Sequence, residues 1–268
     1  MQINIKSLQD ITYENLIKLS EYTSYTDHLN HFRTLFHAHK VGTFLEWGCG
    51  FSSKIFLDDC DRVISVELMT GGGESEWMNF CKRLFGGHGK WTPIAEVVCS
   101  EIQTACVQFS TPHPNLAKVH PQYIRKLNES FDRAVSGEKV DVCFVDSLVY
   151  IRGDLVELAL QRGIPVVAAH DTACCYQNYP DTSVIRRDHG HYGWFRIQDH
   201  PEYERLFIDY GQGTTFWVHR SLPELAQTFR KYIDTGLAAK HHLNLRDLVE
   251  GRDYHLKDGK YRLADHVA

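Results

Sequence analysis

A glycine turn flanked by acidic residues is the part of this sequence best suited to chemistry. The stretch TFLEWGCGFSS is an apolar run that ends near Glu46, turns through Gly48 and Gly50, and continues into Ser52 and Ser53. Glycines at this spacing let the backbone turn sharply from a strand into a helix. They also let a ligand lie directly against the main chain. The stretch therefore predicts a strand, a ligand-binding turn and a helix in succession.

A second acidic residue lies at the end of the next apolar run. The sequence RVISVEL is rich in β-branched residues, which favour strands, and Glu67 lies near its end. A carboxylate at the end of the second strand of a parallel sheet can accept hydrogen bonds from both hydroxyls of a ribose. Together with the glycine turn, Glu67 predicts a nucleoside-binding crevice at the carboxyl ends of parallel strands.

Further candidate residues follow the third, fourth and fifth predicted strands. Glu101 follows the third strand, Asp146 ends the fourth, and His170 and Asp171 end the fifth. Ligands of a doubly wound sheet bind beyond these strand ends. Histidine can accept a proton near neutral pH, although a histidine that merely caps the strand would look the same in the sequence. Asp146 and Asp171 could together hold a divalent cation, which would lower the pKa of an acceptor hydroxyl.

The elements around these residues alternate between strands and helices. This alternation predicts a parallel sheet with helices on both faces, and Gly211 and Gly213 predict a closing hairpin. We therefore expect an α/β fold: a Rossmann-like, doubly wound, mostly parallel seven-stranded sheet with a terminal antiparallel hairpin. Predicted strands lie at 41–46, 63–67, 91–99, 140–146, 165–170, 205–210 and 214–219, and predicted helices at 13–19, 29–38, 52–57, 74–85, 122–127, 148–161 and 222–233.

Two groups of motifs resemble those of known methyltransferases. The combination of Glu46, the glycine turn and Glu67 is similar to the first two motifs of the class I S-adenosylmethionine-dependent methyltransferases. The strand ends CFVDS, at Asp146, and AAHDT, at His170, resemble small-molecule O-methyltransferases of methyltransferase family 24, the macrocin type. The chain departs from that family at 147–150, where Gly-(Asp/Ser)-His is common, so the resemblance identifies no general base there.

The resemblance implies a cofactor, an acceptor and a set of functional residues. The cofactor is S-adenosylmethionine, and the acceptor is a hydroxyl of a small molecule such as a sugar or natural product. Catechol-type and macrocin-type relatives use a divalent cation such as Mg²⁺, which here implies ligation by Asp146 and Asp171. His170 would take the proton of the acceptor. The implied cofactor-binding residues are Glu46, Gly48, Gly50, Ser52, Ser53, Glu67, Glu101 and Asp146, and the implied catalytic residues are Asp146, His170 and Asp171.

Two other functions compete with this interpretation. An NAD(P)-dependent oxidoreductase would also use two glycines and a later acid, but Ser53 stands where its third glycine would allow a pyrophosphate to approach. Glu46 also places a negative charge beside the turn, which suits a cationic amino-acid ligand better than a diphosphate. A non-catalytic nucleoside-binding member of the methyltransferase fold is the other alternative. It would have no need for Asp146 and Asp171 at the neighbouring strand ends.

Length and composition limit the remaining classes. The chain has 268 residues, and we expect a helical segment at 1–40, the S-adenosylmethionine-binding domain at 41–220 and a helical extension at 221–268. The net charge of −5 argues against a nucleic-acid partner. No apolar stretch is long enough to cross a bilayer, and the N-terminal sequence does not resemble a signal peptide. We therefore expect a cytoplasmic protein with a small-molecule partner, its eight cysteines reduced, and leave a homo-oligomer open.

Overall fold

The computed structural model describes most of the predicted sheet and the helices that cover it. The described residues are 9, 11–20, 26, 28–69, 76–97, 121–147, 151–172, 200–209, 213–234, 254–257 and 260–263. Glu101 and the stretch 173–199, which follows the fifth strand, lie outside the described residues.

The main sheet has seven strands, in the spatial order β3-β2-β1-β4-β5-β7-β6. Strands β1 to β5 pair in parallel, while β7 pairs antiparallel to both β5 and β6. The predicted α/β fold with a closing antiparallel hairpin is therefore confirmed. The strands are β1 (Thr43–Trp47), β2 (Arg62–Met69), β3 (Trp91–Val97), β4 (Val142–Val145), β5 (Val166–His170), β6 (Tyr203–Ile208) and β7 (Thr214–His219).

Seven helices and a small two-stranded ribbon accompany this sheet in the described part of the chain. The ribbon pairs β8 (Tyr254–Lys257) with β9 (Lys260–Leu263). The helices are α1 (Tyr13–Ser20), α2 (Leu29–Ala38), α3 (Ser52–Asp59), α4 (Glu76–Phe85), α5 (Pro121–Val135), α6 (Arg152–Gln161) and α7 (Pro223–Asp234). None of the described helices is long and apolar enough to span a membrane.

Two predicted boundaries were wrong for identifiable reasons. Helix α5 extends well past the predicted end at 127, because Leu127, Phe131 and Ala134 form one apolar face that is buried against the sheet. Strand β6 ends earlier than predicted, since Ile208 already pairs with Thr214 and leaves a longer connection between the two strands of the hairpin. The hairpin itself is in place.

The strands are buried on both faces, so their side chains divide into two cores. Phe44 and Phe144 project to one face, where α2, α3, α4 and α7 pack. Leu45 and Trp47 project to the opposite face, which α5 and α6 cover. Because side chains alternate along a strand, Glu46 belongs to the same face as Phe44. This alternation determines which polar groups at the strand ends lie next to α2 and α3.

Helix α2 packs at the centre of the first core although it comes from the N-terminal segment. Phe32 is fully buried, and its ring contacts Phe36 on the same helix and four phenylalanines of other elements, with centroid distances of 4.7 Å to Phe144, 5.1 Å to Phe56, 5.4 Å to Phe216 and 5.6 Å to Phe44. Helix α7 packs on the same core. The N-terminal segment thus helps to hold α3, and with it the glycine turn, against the sheet.

Replacement of Phe32 by Ala tests this role of α2. We expect a loss of about 3–5 kcal/mol in the free energy of unfolding, since a fully buried aromatic side chain is removed from a closed core. Phe36→Ala is the control, because that ring lies on the same helix but is only partly buried. Denaturant unfolding should show the smaller loss for Phe36→Ala. Equal losses would mean that α2 is not a central part of the core.

Candidate functional site

The candidate residues meet at the carboxyl edge of the parallel strands. Strand β1 lies between β2 and β4, so the strands that follow it in the chain lie on both sides of it. Such a point opens a crevice beyond the strand ends, where ligands of doubly wound sheets bind. The glycine turn follows β1 directly, and Glu67, Asp146 and His170 lie at the ends of β2, β4 and β5.

The two glycines of the turn have different roles. Gly48 adopts φ +100°, and a Cβ atom there would lie 2.5 Å from the Asp146 carbonyl oxygen, so no larger residue fits. Its N–H donates to the carbonyl of Val66 at 2.8 Å. A Cβ atom on Gly50 would meet, among the described residues, the Trp77 ring at 3.9 Å. Gly48 therefore packs the turn against β4, whereas a side chain at Gly50 would make only ordinary contact with the described residues.

Glu46 is buried beneath the turn rather than exposed to it. The Ser65 hydroxyl donates to Glu46 Oε1, and the Trp91 indole N–H donates to Ser65 Oγ at 2.7 Å. Burial raises the pKa of Glu46 to about 8, in spite of hydrogen bonds from Ser53 and Ser65 that favour the carboxylate. The Glu46 carboxyl is therefore mainly protonated at neutral pH.

Glu67 closes the turn from the side of β2. Its Oε2 accepts a hydrogen bond from the Cys49 backbone N–H at 3.3 Å. Burial raises the pKa of Glu67, and the hydrogen bonds from Cys49 oppose that shift. The carboxylate therefore lies at the edge of the crevice, directly beside the glycine turn. The contact of Glu67 with ribose hydroxyls stays a prediction.

An aromatic group covers the turn on its outer side. The Trp77 side chain is 40% exposed, stacks on Phe80 at a centroid distance of 5.4 Å and meets Phe51 edge-on at 5.6 Å. Its indole N–H donates to the Cys49 carbonyl at 2.7 Å. Trp77 thus restrains the backbone of the turn and provides an exposed ring surface beside Gly50. Sequence reasoning missed this residue, which lies in α4.

A buried arginine joins the acidic strand ends. Arg152, the first residue of α6, is 6% exposed. Its guanidinium contacts Asp171 Oδ2 at 2.6 Å and Asp146 Oδ1 at 3.1 Å. It also donates to the carbonyls of His170, at 2.9 Å, and Ser147, at 2.7 Å. The side chain therefore ties the ends of β4 and β5 together through four acceptors.

His170 lies within reach of both carboxylates. Its Nδ1 is 3.3 Å from Asp146 Oδ1 and 3.5 Å from Asp171 Oδ1. A proton on Nδ1 satisfies the hydrogen bond to Asp146, which leaves Nε2 as the acceptor nitrogen of the neutral ring. Burial alone would raise the pKa of Asp146, but its interactions with His170 and Arg152 outweigh burial and lower it. The carboxylate is thus ionised beside the imidazole.

Asp171 reaches this cluster through an unusual backbone conformation. Its φ of +58° lies in the left-handed region, which aspartate tolerates better than most residues. The next residue, Thr172, donates its N–H to the carbonyl of Gly213 at 3.0 Å. The chain therefore turns sharply as β5 ends, and this turn brings the Asp171 carboxylate back toward Arg152.

A second histidine lies beneath His170. His28, just before α2, is 1% exposed, and its ring centroid is 4.8 Å from that of His170. Its Nε2 is hydrogen-bonded to Ser52 Oγ at 3.0 Å, whereas Nδ1 is buried and has no hydrogen-bond partner among the described residues. Burial and the nearby His170 lower the pKa of His28 to about 3. His28 is therefore neutral at working pH and packs as an uncharged ring.

The cluster offers two sets of metal ligands, and the predicted set does not fit. Asp146 and Asp171 were predicted to share a cation, yet the Arg152 guanidinium lies between them, so a divalent ion there would face a fixed positive charge. His28, Asp146 and His170 form another set, each offering a ligand atom within 4.8 Å of the others. In that set, His170 and His28 already use ring nitrogens for hydrogen bonds to Asp146 and Ser52.

The structure brings together most of the residues predicted for the site. Asp146, His170 and Asp171 form one cluster, and Glu67 lies beside the turn. The side chain of Ser53 is fully buried and accepts a hydrogen bond from the Gly50 N–H at 3.0 Å, so it shapes the turn instead of facing a ligand. The residues that sequence reasoning missed are Arg152, His28 and Trp77.

Comparisons with known proteins find similar structures but no similar sequences. The chain matches no protein-family profile and no curated protein. An O-methyltransferase from Bacillus cereus in complex with SAH has 12% identity and a TM-score of 0.47 over 81% of this chain and 92% of that one. An SAH-bound Podospora anserina methyltransferase has 12% identity and a TM-score of 0.46 over 77% and 87%. These similarities are too weak to assign an activity to this chain.

A further solved structure is the O-methyltransferase TomG from Streptomyces achromogenes, involved in tomaymycin synthesis and determined in complex with SAM. It has 15% identity and a TM-score of 0.43 over 72% of this chain and 78% of that one. All three are structures of methyltransferases, the class that the sequence motifs resemble.

Substitution of Glu46 by Gln tests the buried, protonated carboxyl. The pKa of Glu46 is about 8 in the folded state, against an ordinary value of 4.5. Between these two pH values the unfolded chain releases a proton that the folded chain keeps. The free energy of unfolding therefore falls as the pH rises. Glutamine removes this cost but keeps the acceptor for Ser65. We expect Glu46→Gln to stabilise the protein at pH 8 by about 2–4 kcal/mol more than at pH 5.

Thermal unfolding at both pH values measures this difference. Glu96→Gln is the control, because Arg133 lowers the pKa of Glu96 and its neutralisation should bring no gain at pH 8. An equal effect of Glu46→Gln at both pH values would show that Glu46 is ionised in the fold.

Proposed function

We propose that this chain is an S-adenosylmethionine-dependent methyltransferase that transfers a methyl group to a hydroxyl of a small molecule. The observation that carries the proposal is the position of the Asp146–His170 pair on the same sheet edge as the glycine turn and Glu67. A nucleoside site and a proton acceptor thereby share one crevice. The sequence motifs support the same function.

The residues of the turn fit the cofactor. The lack of a side chain at Gly50 would leave space for the cofactor on the side of Trp77, and Glu67 offers a carboxylate near the end of β2 to ribose hydroxyls. Helix α3 begins directly after the turn, so the positive end of its dipole would favour a carboxylate there. Glu46 would act from below, as the group that supports the turn. The cofactor supplies an electrophilic methyl group.

The Asp146–His170 pair would handle the proton of the acceptor. Methyl transfer to oxygen is an in-line displacement, so the enzyme must hold the hydroxyl behind the methyl group and remove its proton. His170 would accept that proton at Nε2, because Nδ1 is directed at the Asp146 carboxylate. The ionised Asp146 would stabilise the resulting imidazolium. No step of this scheme requires a metal.

Affinity for S-adenosylhomocysteine tests the assignment of Glu67. Glu67→Ala should weaken binding by roughly 1.5–3 kcal/mol, the usual scale for hydrogen bonds to a charged group. Isothermal titration calorimetry measures this loss, with Glu96→Ala as a control acid in β3 that is paired with Arg133 outside the crevice. Unchanged affinity in Glu67→Ala would remove the ribose assignment. Binding of NAD(P) in place of S-adenosylhomocysteine would favour the oxidoreductase.

Methyl transfer by a His170→Ala variant tests the proton acceptor. We expect the turnover rate to fall by about 10²–10⁴-fold, as for loss of a general base, while S-adenosylhomocysteine still binds. Release of S-adenosylhomocysteine with a panel of catechols, sugars and other hydroxyl compounds provides the assay. His219→Ala is the control, because His219 ends the antiparallel strand β7 and bonds to Ser221. Full activity of His170→Ala would contradict the assignment.

A further inference from the structure

We infer that the Arg152 guanidinium occupies the place that a divalent cation would take between Asp146 and Asp171, so that this edge of the sheet works without a metal. The inference concerns a residue of the chain that neither the motifs nor the resemblance pointed to. That methyl transfer needs no metal rests on the proposed function, whereas the exclusion of a cation by Arg152 does not.

The contacts of Arg152 place positive charge where a cation would bind. Its terminal nitrogens lie 3.1 Å from Asp146 Oδ1 and 2.6 Å from Asp171 Oδ2, so they occupy one oxygen of each acid that was predicted to hold the ion. Mg²⁺ needs oxygen ligands at about 2.0–2.1 Å in an octahedral arrangement. An ion at that distance from both carboxylates would lie against the guanidinium nitrogens. The two cations therefore exclude each other.

The fold holds the guanidinium firmly in this place. Arg152 is 6% exposed, and its remaining donors bond to the carbonyls of Ser147 and His170. It is also the first residue of α6, where the helix dipole disfavours positive charge, so its charge must be balanced by the two carboxylates. Removal of the side chain would leave two partly buried acids facing each other without the charge of the guanidinium.

Arg152 can position the carboxylates as a metal would, but it cannot activate the acceptor as a metal would. It is paired with Asp146 and holds that carboxylate beside His170 Nδ1, which sets the orientation of the imidazole. It cannot bind the acceptor oxygen as a Lewis acid, because it has no vacant coordination position. Activation of the acceptor therefore falls to His170. Arg152 is a positioning residue in this scheme.

Manganese binding to the complete protein tests the inference. We expect electron paramagnetic resonance to detect the same Mn²⁺ binding for the wild type and for Asp146→Asn. No bound Mn²⁺ should depend on Asp146. Arg152→Met, of similar length but uncharged, should instead gain a Mn²⁺ site, and millimolar Mg²⁺ should raise its unfolding temperature by at least about 3 °C. Arg162→Met is the matched control, since Arg162 pairs with Asp132 away from the crevice. It should gain no site.

Each outcome decides the question. Wild-type Mn²⁺ binding that Asp146→Asn abolishes would overturn the inference, as would a folded Arg152→Met that gains no site. If Arg152→Met does not fold, the wild-type titration decides alone. A chelator should leave the rate of S-adenosylhomocysteine formation by the wild type unchanged. A lower rate that recovers when Mg²⁺ is added would contradict the inference. Absence of methyl transfer with every acceptor would refute the proposed function but not the result on cation binding.

Discussion

A buried positive charge at the carboxyl edge of the sheet is the constraint on which the rest of the site depends. The Arg152 guanidinium is removed from water and needs compensating acceptors nearby. Asp146, Asp171 and two backbone carbonyls supply them, and they do so only if β4 and β5 end side by side. The left-handed backbone at Asp171 follows from the same requirement. The charge balance of the site therefore depends on the pairing of β4 with β5.

The glycine turn obeys a separate, steric constraint. Gly48 has no room for a side chain against the β4 backbone, and the buried Glu46 and Ser53 support the turn from below. The polar atoms of Ser53 and Gly50 are thus hydrogen-bonded to each other inside the turn, and the Glu67 carboxylate lies at its edge. The crevice thus has one side formed by the glycine turn and an ionised side at β4 and β5.

The sequence allowed the sheet and most of the cluster to be predicted, because those features depend on local patterns. Apolar runs that end in acids predict strands and place Asp146, His170 and Asp171 on one edge. The partners of these residues depend on tertiary packing. His28 lies 142 positions before His170, and Arg152 begins a helix whose start was predicted too early. The burial of Glu46 was also unforeseen, since sequence gives the end of a strand but not the depth of a side chain.

A crystal structure of the complex with S-adenosylhomocysteine would test the central claim most directly, because it locates the nucleoside and the reacting sulfur together. The ribose hydroxyls should contact Glu67, and the amino-acid portion should lie over Gly50. The sulfur should then face the side of the crevice that His170 and Asp146 form, with Arg152 still bound to both aspartates. A ligand bound elsewhere, or a sulfur directed away from His170, would contradict the claim that cofactor and proton acceptor share this edge.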